Sequence, residues 1–333
     1  MKNKDNSKFL KVLLGSTVAF AAACSSTAWA EEERQVAYLS ASSANTFLLA
    51  AVAEMERVAE ENNINLVEFD AQFDPAKQTA QMQDVIASGN YDGIVLVSIS
   101  GAGAIPDVEA AVQEGIEVVI FNQIIGTDFT TADPQVDGVA ASILVPPVKA
   151  GERQGELTVL ACQDIDPCEV VYLYGIKGIP FDDALRAGFD SVIADHSNID
   201  VIAEGEGKYL GPDGGITATQ DILQTNDEFD VMVGADQSIQ GAAIVFDDEG
   251  MTGQVKLIGS GGSSPAFEGI RDGSWFGGLF YAPANEGRIA MEAMVQALTD
   301  GTHLGGLDPV SELPDDGLVT INNIDKFSPQ WDG

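Results

Sequence analysis

Histidine is nearly missing from this chain: only His196 and His303 occur in 333 residues. General acid–base chemistry most often runs on histidine, and both of these read as solvated loop residues. The sequence has no Gly-x-Ser-x-Gly elbow, no HExxH, no Gly-Lys-Ser/Thr phosphate loop and no EF-hand spacing. The stretch 205–211, Gly-Glu-Gly-Lys-Tyr-Leu-Gly, has the wrong spacing for a dinucleotide loop and reads as a glycine-rich connection. Cysteine is scarce, with Cys24, Cys162 and Cys168 alone, and a zinc site needs more ligands than two thiols. Positive charge is scarce too. Sixteen Lys and Arg stand against 52 Asp and Glu, a formal net charge of −36, which repels nucleic acid and anionic lipid. The acidic residues are scattered and read as solvated faces, which a salty habitat would suit. No metal and no cofactor is expected.

Long apolar runs are absent beyond the first thirty residues, and those thirty carry their own meaning. Lys2, Lys4, Lys8 and Lys11 give a basic start, residues 12–23 an uncharged apolar stretch, and Ala28-Trp29-Ala30 a small-x-small cleavage site. This is the pattern of a secretory signal peptide, too short to span a bilayer, which takes about 20 apolar residues. Cleavage after Ala30 is the expectation, giving a periplasmic protein. Ala21-Ala22-Ala23-Cys24 also resembles a lipoprotein signal, in which an acylated Cys24 would tether the same domain to a membrane. Removing four lysines and one aspartate with this segment takes the charge from −36 to −39. Export leaves Cys162 and Cys168 as an even pair in an oxidising compartment, where a structural disulfide is expected. Their spacing is not that of a Cys-x-x-Cys redox pair.

From Gln35 onward strand and helix patterns alternate. Strands are predicted at 35–39, 64–69, 93–97 and 118–121, and helices at 46–62, 75–88 and 105–114. The rhythm restarts after Pro146-Pro147. Helices are predicted at 150–160, 182–195, 217–224, 239–247, 265–272 and 285–299, and strands at 170–174, 201–204, 231–234, 255–259 and 275–280. Such repetition predicts parallel sheets covered by helices on both faces, in two blocks of similar size.

Sheets of this kind bind ligands beyond the carboxyl ends of their strands, which directs attention to 40–45, 98–103, 122–126, 175–183, 235–237, 260–264 and 281–285. These loops carry amides, carboxylates and aromatics: Asn45, Phe47, Asn122, Gln123, Phe181, Asp183, Asp236 and Tyr281 are the candidate ligand contacts. Amides and carboxylates pair with adjacent hydroxyls, and aromatic faces cover the C–H side of a ring. That is the chemistry of a polyhydroxylated ligand.

Several short motifs recur in order and spacing: Asn45-Thr46-Phe47 after the first strand, Asp74-Pro75-Ala76-Lys77-Gln78 entering the second helix, and Tyr91-Asp92-Gly93-Ile94-Val95-Leu96. Gly175-Ile176 then precedes a helix containing Arg186-Ala187-Gly188-Phe189, and Ala235-Asp236 stands where Asn-Asp is common. Through them nearly all the chain after the export segment resembles the sugar-binding proteins of the ribose- and galactose-binding type that feed ABC transporters. The resemblance implies a type I periplasmic binding protein: two doubly wound parallel-sheet lobes joined by a three-segment hinge, with ligand held between them. The implied division is 1–30 for the signal, 31–141 plus 284–313 for the N-terminal lobe, and 142–283 plus 314–333 for the C-terminal lobe. Crossings fall near 141–145, 281–283 and 314–318. The implied partners are a sugar or polyol and a membrane permease, and a monomer is expected.

Departures from the family pattern bear on the ligand. The Asp-Arg pair of ribose binders reads Asn122-Gln123, a pocket arginine falls at Asp183, a Phe-Asp pair reads Ser260-Gly261, and a glutamine reads Tyr281. Two cations and one carboxylate are lost, so ribose would not bind in the familiar way and an anionic ligand is not expected. Neutral amides still suit hydroxyls. The alternative reading keeps the fold but makes the ligand a furanosyl signal for a chemoreceptor or sensor kinase. An exported enzyme is disfavoured by the missing catalytic sets, and a repressor by the export segment standing where a basic headpiece would be.

Overall fold

The computed structural model describes residues 33–209, 211–311 and 313–333, so the predicted signal, Ala30 and Cys24 lie outside the described residues. The first block runs β1 (Arg34–Ser40), α1 (Thr46–Glu61), β2 (Ile64–Asp70), α2 (Pro75–Ser88), β3 (Gly93–Leu96), α3 (Ile105–Gln113), β4 (Glu117–Phe121) and β5 (Ala141–Ile143). The second runs α4 (Pro147–Ala161), β6 (Cys168–Tyr174), α5 (Pro180–Ile193), β7 (Ile199–Glu206), α6 (Pro212–Leu223), β8 (Val231–Val233), α7 (Asp236–Asp248), β9 (Lys256–Ser260), α8 (Ser264–Asp272) and β10 (Gly277–Leu279). The chain then returns through α9 (Pro283–Asp300) and β11 (Gly305–Leu307) and ends through β12 (Leu318–Thr320).

Helix starts follow from local chemistry. Asn45 accepts from the Leu48 N–H at the head of α1, and Asp74 accepts from Ala76 and Lys77 at the head of α2. The helices α4, α5, α6 and α9 have no capping side chain and open on proline, whose fixed φ fits the first turn. Cys162, at the end of α4, and Cys168, the first residue of β6, form a disulfide with Cα atoms 5.7 Å apart.

Two six-stranded sheets result, ordered β11-β5-β4-β3-β1-β2 and β12-β10-β9-β8-β6-β7. Apart from the outer strands β11 and β12, each has the order 2-1-3-4-5 of a doubly wound sheet. Only β12 runs antiparallel, against β10. The period-2 alternation of each strand sorts its side chains to two faces. Val95 and Val97 pack with α1 and α9, while Ile94 and Leu96 pack with α2 and α3. In the second sheet Val171, Met232 and Leu257 lie under α6 to α8, and Val170, Tyr172, Val231 and Ile258 under α4 and α5. Buried on both faces, these strands read as the apolar runs seen in the sequence.

The chain passes between the sheets three times. In the first passage Ala141–Ile143 is itself a strand of the first sheet, paired with β4 and β11, so the chain leaves that sheet after Ile143. The second lies between β10 and α9, and the third between Leu307 and Leu318. All three meet in one apolar cluster, with Val145 from the first, Leu279 and Tyr281 from the second and Val310 from the third, packed with Phe181. Arg153 of α4 spans this junction to Asp308 of the third crossing at 3.2 Å. No described helix is long and apolar enough to cross a membrane.

Candidate functional site

In each sheet the order of strands reverses between the first and third, and the loops leaving those strands open a crevice. In the first lobe that crevice is bounded by the head of α1. Asn45 uses its side-chain oxygen to cap α1, and its amide nitrogen donates to the Tyr209 carbonyl of the second lobe at 3.0 Å. One turn on, Phe47 meets Tyr281 edge to face with ring centroids 6.1 Å apart, and Trp331 likewise at 5.5 Å. At the end of β4, Asn122 adopts φ 63°, a left-handed conformation uncommon for a residue with a Cβ. Its side-chain oxygen accepts from the Gln123 amide at 3.2 Å.

The second lobe answers with a carboxylate, two aromatics and a tail. Asp182 is buried at the head of α5 and accepts from the Gly175 N–H at 2.9 Å, the Ile176 N–H at 3.2 Å and the Tyr209 hydroxyl at 2.8 Å. Burial still outweighs these donors and raises its pKa above the ordinary carboxylate value. Tyr209 is held at φ 55° between β7 and α6. The C-terminal tail folds across α8: the Trp331 carbonyl accepts from Ser264, and the Trp331 indole donates to the Gly261 carbonyl at 3.0 Å.

Two predicted contacts sit differently from expectation. Asp183 is exposed, and its neighbour Asp182 is the carboxylate turned inward, because α5 starts at Pro180 rather than at residue 182. Asp236 is wholly buried behind residues 260–263, where it accepts from the Ser263 N–H at 2.7 Å. Burial pushes its pKa up to about 6, against the opposing N–H groups of Ser263, Gly262 and Ser260. It holds the loop from behind. Phe181 is half-buried against the hinge cluster with Tyr281. The structure thus brings together Asn45, Phe47 and Tyr281 across the lobes, and Asn122 with Gln123.

Three residues were missed by sequence reasoning. Tyr209 lies in a strand-end loop of the kind already singled out, and that position was its signal. Trp331 carries none, since only the folded tail brings it here. Glu286 heads the buried stripe of α9 that continues through Ala290, Met294 and Ala297, and an acid in line with such a stripe is a legible sign. It is 1% exposed, and neither carboxyl oxygen has a hydrogen-bond partner among the described residues. Burial pushes its pKa up to about 8. The Asn122 amide and the Ala282 backbone offset part of that rise, but neither reaches the carboxyl in hydrogen-bond geometry. Burial likewise raises the pKa of Tyr281, the charge of Glu286 adding to the effect and that of Arg153 opposing it. The arrangement offers donors, acceptors and aromatic edges. Arg153, the cation acting on Tyr281, meets Asp308 through one terminal nitrogen, while its Nε and Nη1 have no hydrogen-bond partner among the described residues.

A groove of about 600 Å³ also opens at the far end of the second sheet, beside Lys256, Arg271, Trp275 and Ile321. It lies at the amino ends of β9 and β10, away from the strand ends that face the other lobe.

Comparison with known proteins places this geometry. A sequence profile described as a periplasmic binding protein domain matches residues 36–302. The xylitol-binding protein of Mycolicibacterium smegmatis is 24% identical over 285 residues, covering 84% of this chain and 76% of the relative. The ribose import binding protein of Bacillus subtilis is 24% identical over 250 residues, covering 75% and 76%. Among solved structures, an ABC transporter solute binding protein from Bacillus halodurans with bound myo-inositol superposes with a TM-score of 0.75 at 20% identity, covering 89% of this chain and 98% of the other. At that identity the likeness is one of fold.

Proposed function

The chain belongs to the periplasmic binding protein domain family, one of solute-binding proteins and not enzymes, and from that premise we propose that it captures a neutral sugar or polyol between its two lobes and delivers it to the permease of an ABC transporter. The observation that carries this reading is the meeting of amides and aromatics from both lobes: Asn45 donating to Tyr209, and Phe47 against Tyr281 and Trp331. Asn122, Gln123 and the same aromatics are the proposed ligand contacts, with Phe181 and Asp183 on the rim. The relatives named for xylitol and ribose, and the structure holding myo-inositol, share hydroxyl-rich neutral ligands that suit such a lining. Ligand bridging the lobes would favour a closed form by hinge motion about the three crossings, and that form would dock on the permease. Export through the N-terminal signal, cleavage after Ala30 in preference to acylation of Cys24, and a monomeric state complete the proposal.

A thermal-shift screen of the chain from Glu31 tests it, using pentoses, hexoses, sugar alcohols, inositols, amino sugars and sugar acids. A ligand at about one hundred times its dissociation constant adds about 2.7 kcal/mol, which raises the midpoint by roughly 4 °C for a protein of about 300 residues. The expected result is a selective rise with a neutral polyol or sugar. A rise with sugar acids alone, or with nothing in the panel, contradicts the proposal.

A further inference from the structure

We infer that Glu286 is a ligand-contacting residue that sets specificity: together with Asn122 it receives a hydroxyl of a neutral polyol, and it does so as the uncharged acid. The inference rests on the polyol reading above and names the group that would recognise it.

The first support is the state of the side chain. Buried polar atoms in folded proteins are nearly all hydrogen-bonded, and leaving one unpaired is costly. Glu286 is 1% exposed with both carboxyl oxygens unpartnered among the described residues. The second is its place. It stands in the first turn of α9, directly after the second crossing, with Asn122 beside it at the carboxyl end of β4.

The third support is the charge around it. Helix α1 closes on α9 so tightly that a Cβ at Gly287 would lie 2.2 Å from the Ala51 carbonyl, and it presents Leu48 and Ala51, both apolar. Strands β4 and β5 end in Phe121 and Ile143. From the second crossing comes the neutral Tyr281, and from the third Asp308, whose negative charge opposes ionisation and which is itself paired with Arg153. Arg153 keeps Nε and Nη1 unpartnered among the described residues, yet its charge acts on Tyr281 and not on Glu286, so no cation holds this carboxylate. The upward shift to about 8 agrees with that surrounding. A protonated carboxyl presents one O–H donor and an acceptor oxygen, matching a hydroxyl that both gives and receives. A ligand ammonium would instead require the ionised form.

The test uses the chain from Glu31 as wild type, Glu286→Gln and Glu286→Ala, with xylitol and myo-inositol as probes in calorimetric titrations between about pH 6.5 and 9.5. Infrared difference spectra of the ligand-free wild type against Glu286→Gln report the protonated carboxyl. That carboxyl band is expected in the wild type at neutral pH. Glu286→Gln should bind within about threefold of wild type near pH 7, and Glu286→Ala should lose at least about tenfold. Wild-type affinity should fall by about tenfold per pH unit above about 8, reaching roughly thirtyfold near pH 9.5, while Glu286→Gln stays level. An affinity that rises with pH or ignores it, binding by Glu286→Ala equal to wild type, or no protonated-carboxyl band at neutral pH overturns the inference and leaves the polyol reading intact. Failure of both probes to bind wild type near pH 7 overturns this inference, and failure of every neutral sugar and polyol in the thermal-shift panel overturns the polyol reading with it.

Discussion

Asn45 holds two positions at once. Its oxygen caps α1 and its nitrogen reaches the Tyr209 carbonyl of the other lobe. Two substitutions separate the roles. Asn45→Asp keeps the acceptor for the cap and loses the donor for the bridge, and Asn45→Ala loses both. Chemical denaturation should find Asn45→Ala about 1 kcal/mol less stable than wild type, and Asn45→Asp destabilised as well, since it keeps the cap but turns a buried carboxylate oxygen toward the Tyr209 carbonyl, while calorimetry finds polyol binding weakened in both. Equal stability of wild type and Asn45→Ala would remove the capping role. At this scale the sequence was half legible. Asn45 and Phe47 follow from the rule that ligands sit beyond strand ends, but which of Asp182 and Asp183 turns inward depends on where α5 begins. Asp236 has a pocket residue's chemistry, yet its burial behind residues 260–263 comes from the packing of a distant loop.

Helices α4 and α5 cross with their backbones nearly touching. A Cβ added at Gly151 would lie 1.9 Å from the Leu185 carbonyl, and one at Gly188 would lie 2.0 Å from the Val148 carbonyl. Backbone cannot swing aside as a side-chain tip can, so Gly188→Ala must push the helices apart. Its expected loss of stability is about 1–3 kcal/mol, read as a lower denaturation midpoint. An unchanged midpoint would mean that the two helices are not held as described. Long periodic elements such as α1 and α9, and the all-apolar β3, could be read from the sequence. Strand β11 could not: Gly305-Gly306-Leu307 has no strand pattern and pairs only because β5 offers it a parallel partner. Strand β5 is equally silent in the sequence, since three residues are too few to show a period.

Across the whole molecule the dominant sequence feature is the net charge of −36. Such an excess strains the compact state through self-repulsion, and salt screens it, the Debye length falling from about 10 Å at 0.1 M to about 3 Å at 1 M. The melting midpoint should therefore rise as sodium chloride increases over that range, and a falling midpoint would show that self-repulsion does not govern stability. The molecule's design otherwise lies in its joints. Three crossings meet in one apolar cluster, and beside it amides and rings of the two lobes face one another. As proposed above, a neutral polyol is held by both lobes together. The most direct measurement is a titration of wild type and Phe47→Ala with the strongest ligand from the thermal-shift screen, following tryptophan fluorescence, in which Trp331 lies in the second lobe against Phe47 of the first and Trp275 is a buried background common to both proteins. A saturable change in wild type that is lost or strongly weakened in Phe47→Ala is the predicted result. Equal affinity and equal response in the two proteins would place the ligand somewhere other than between the lobes.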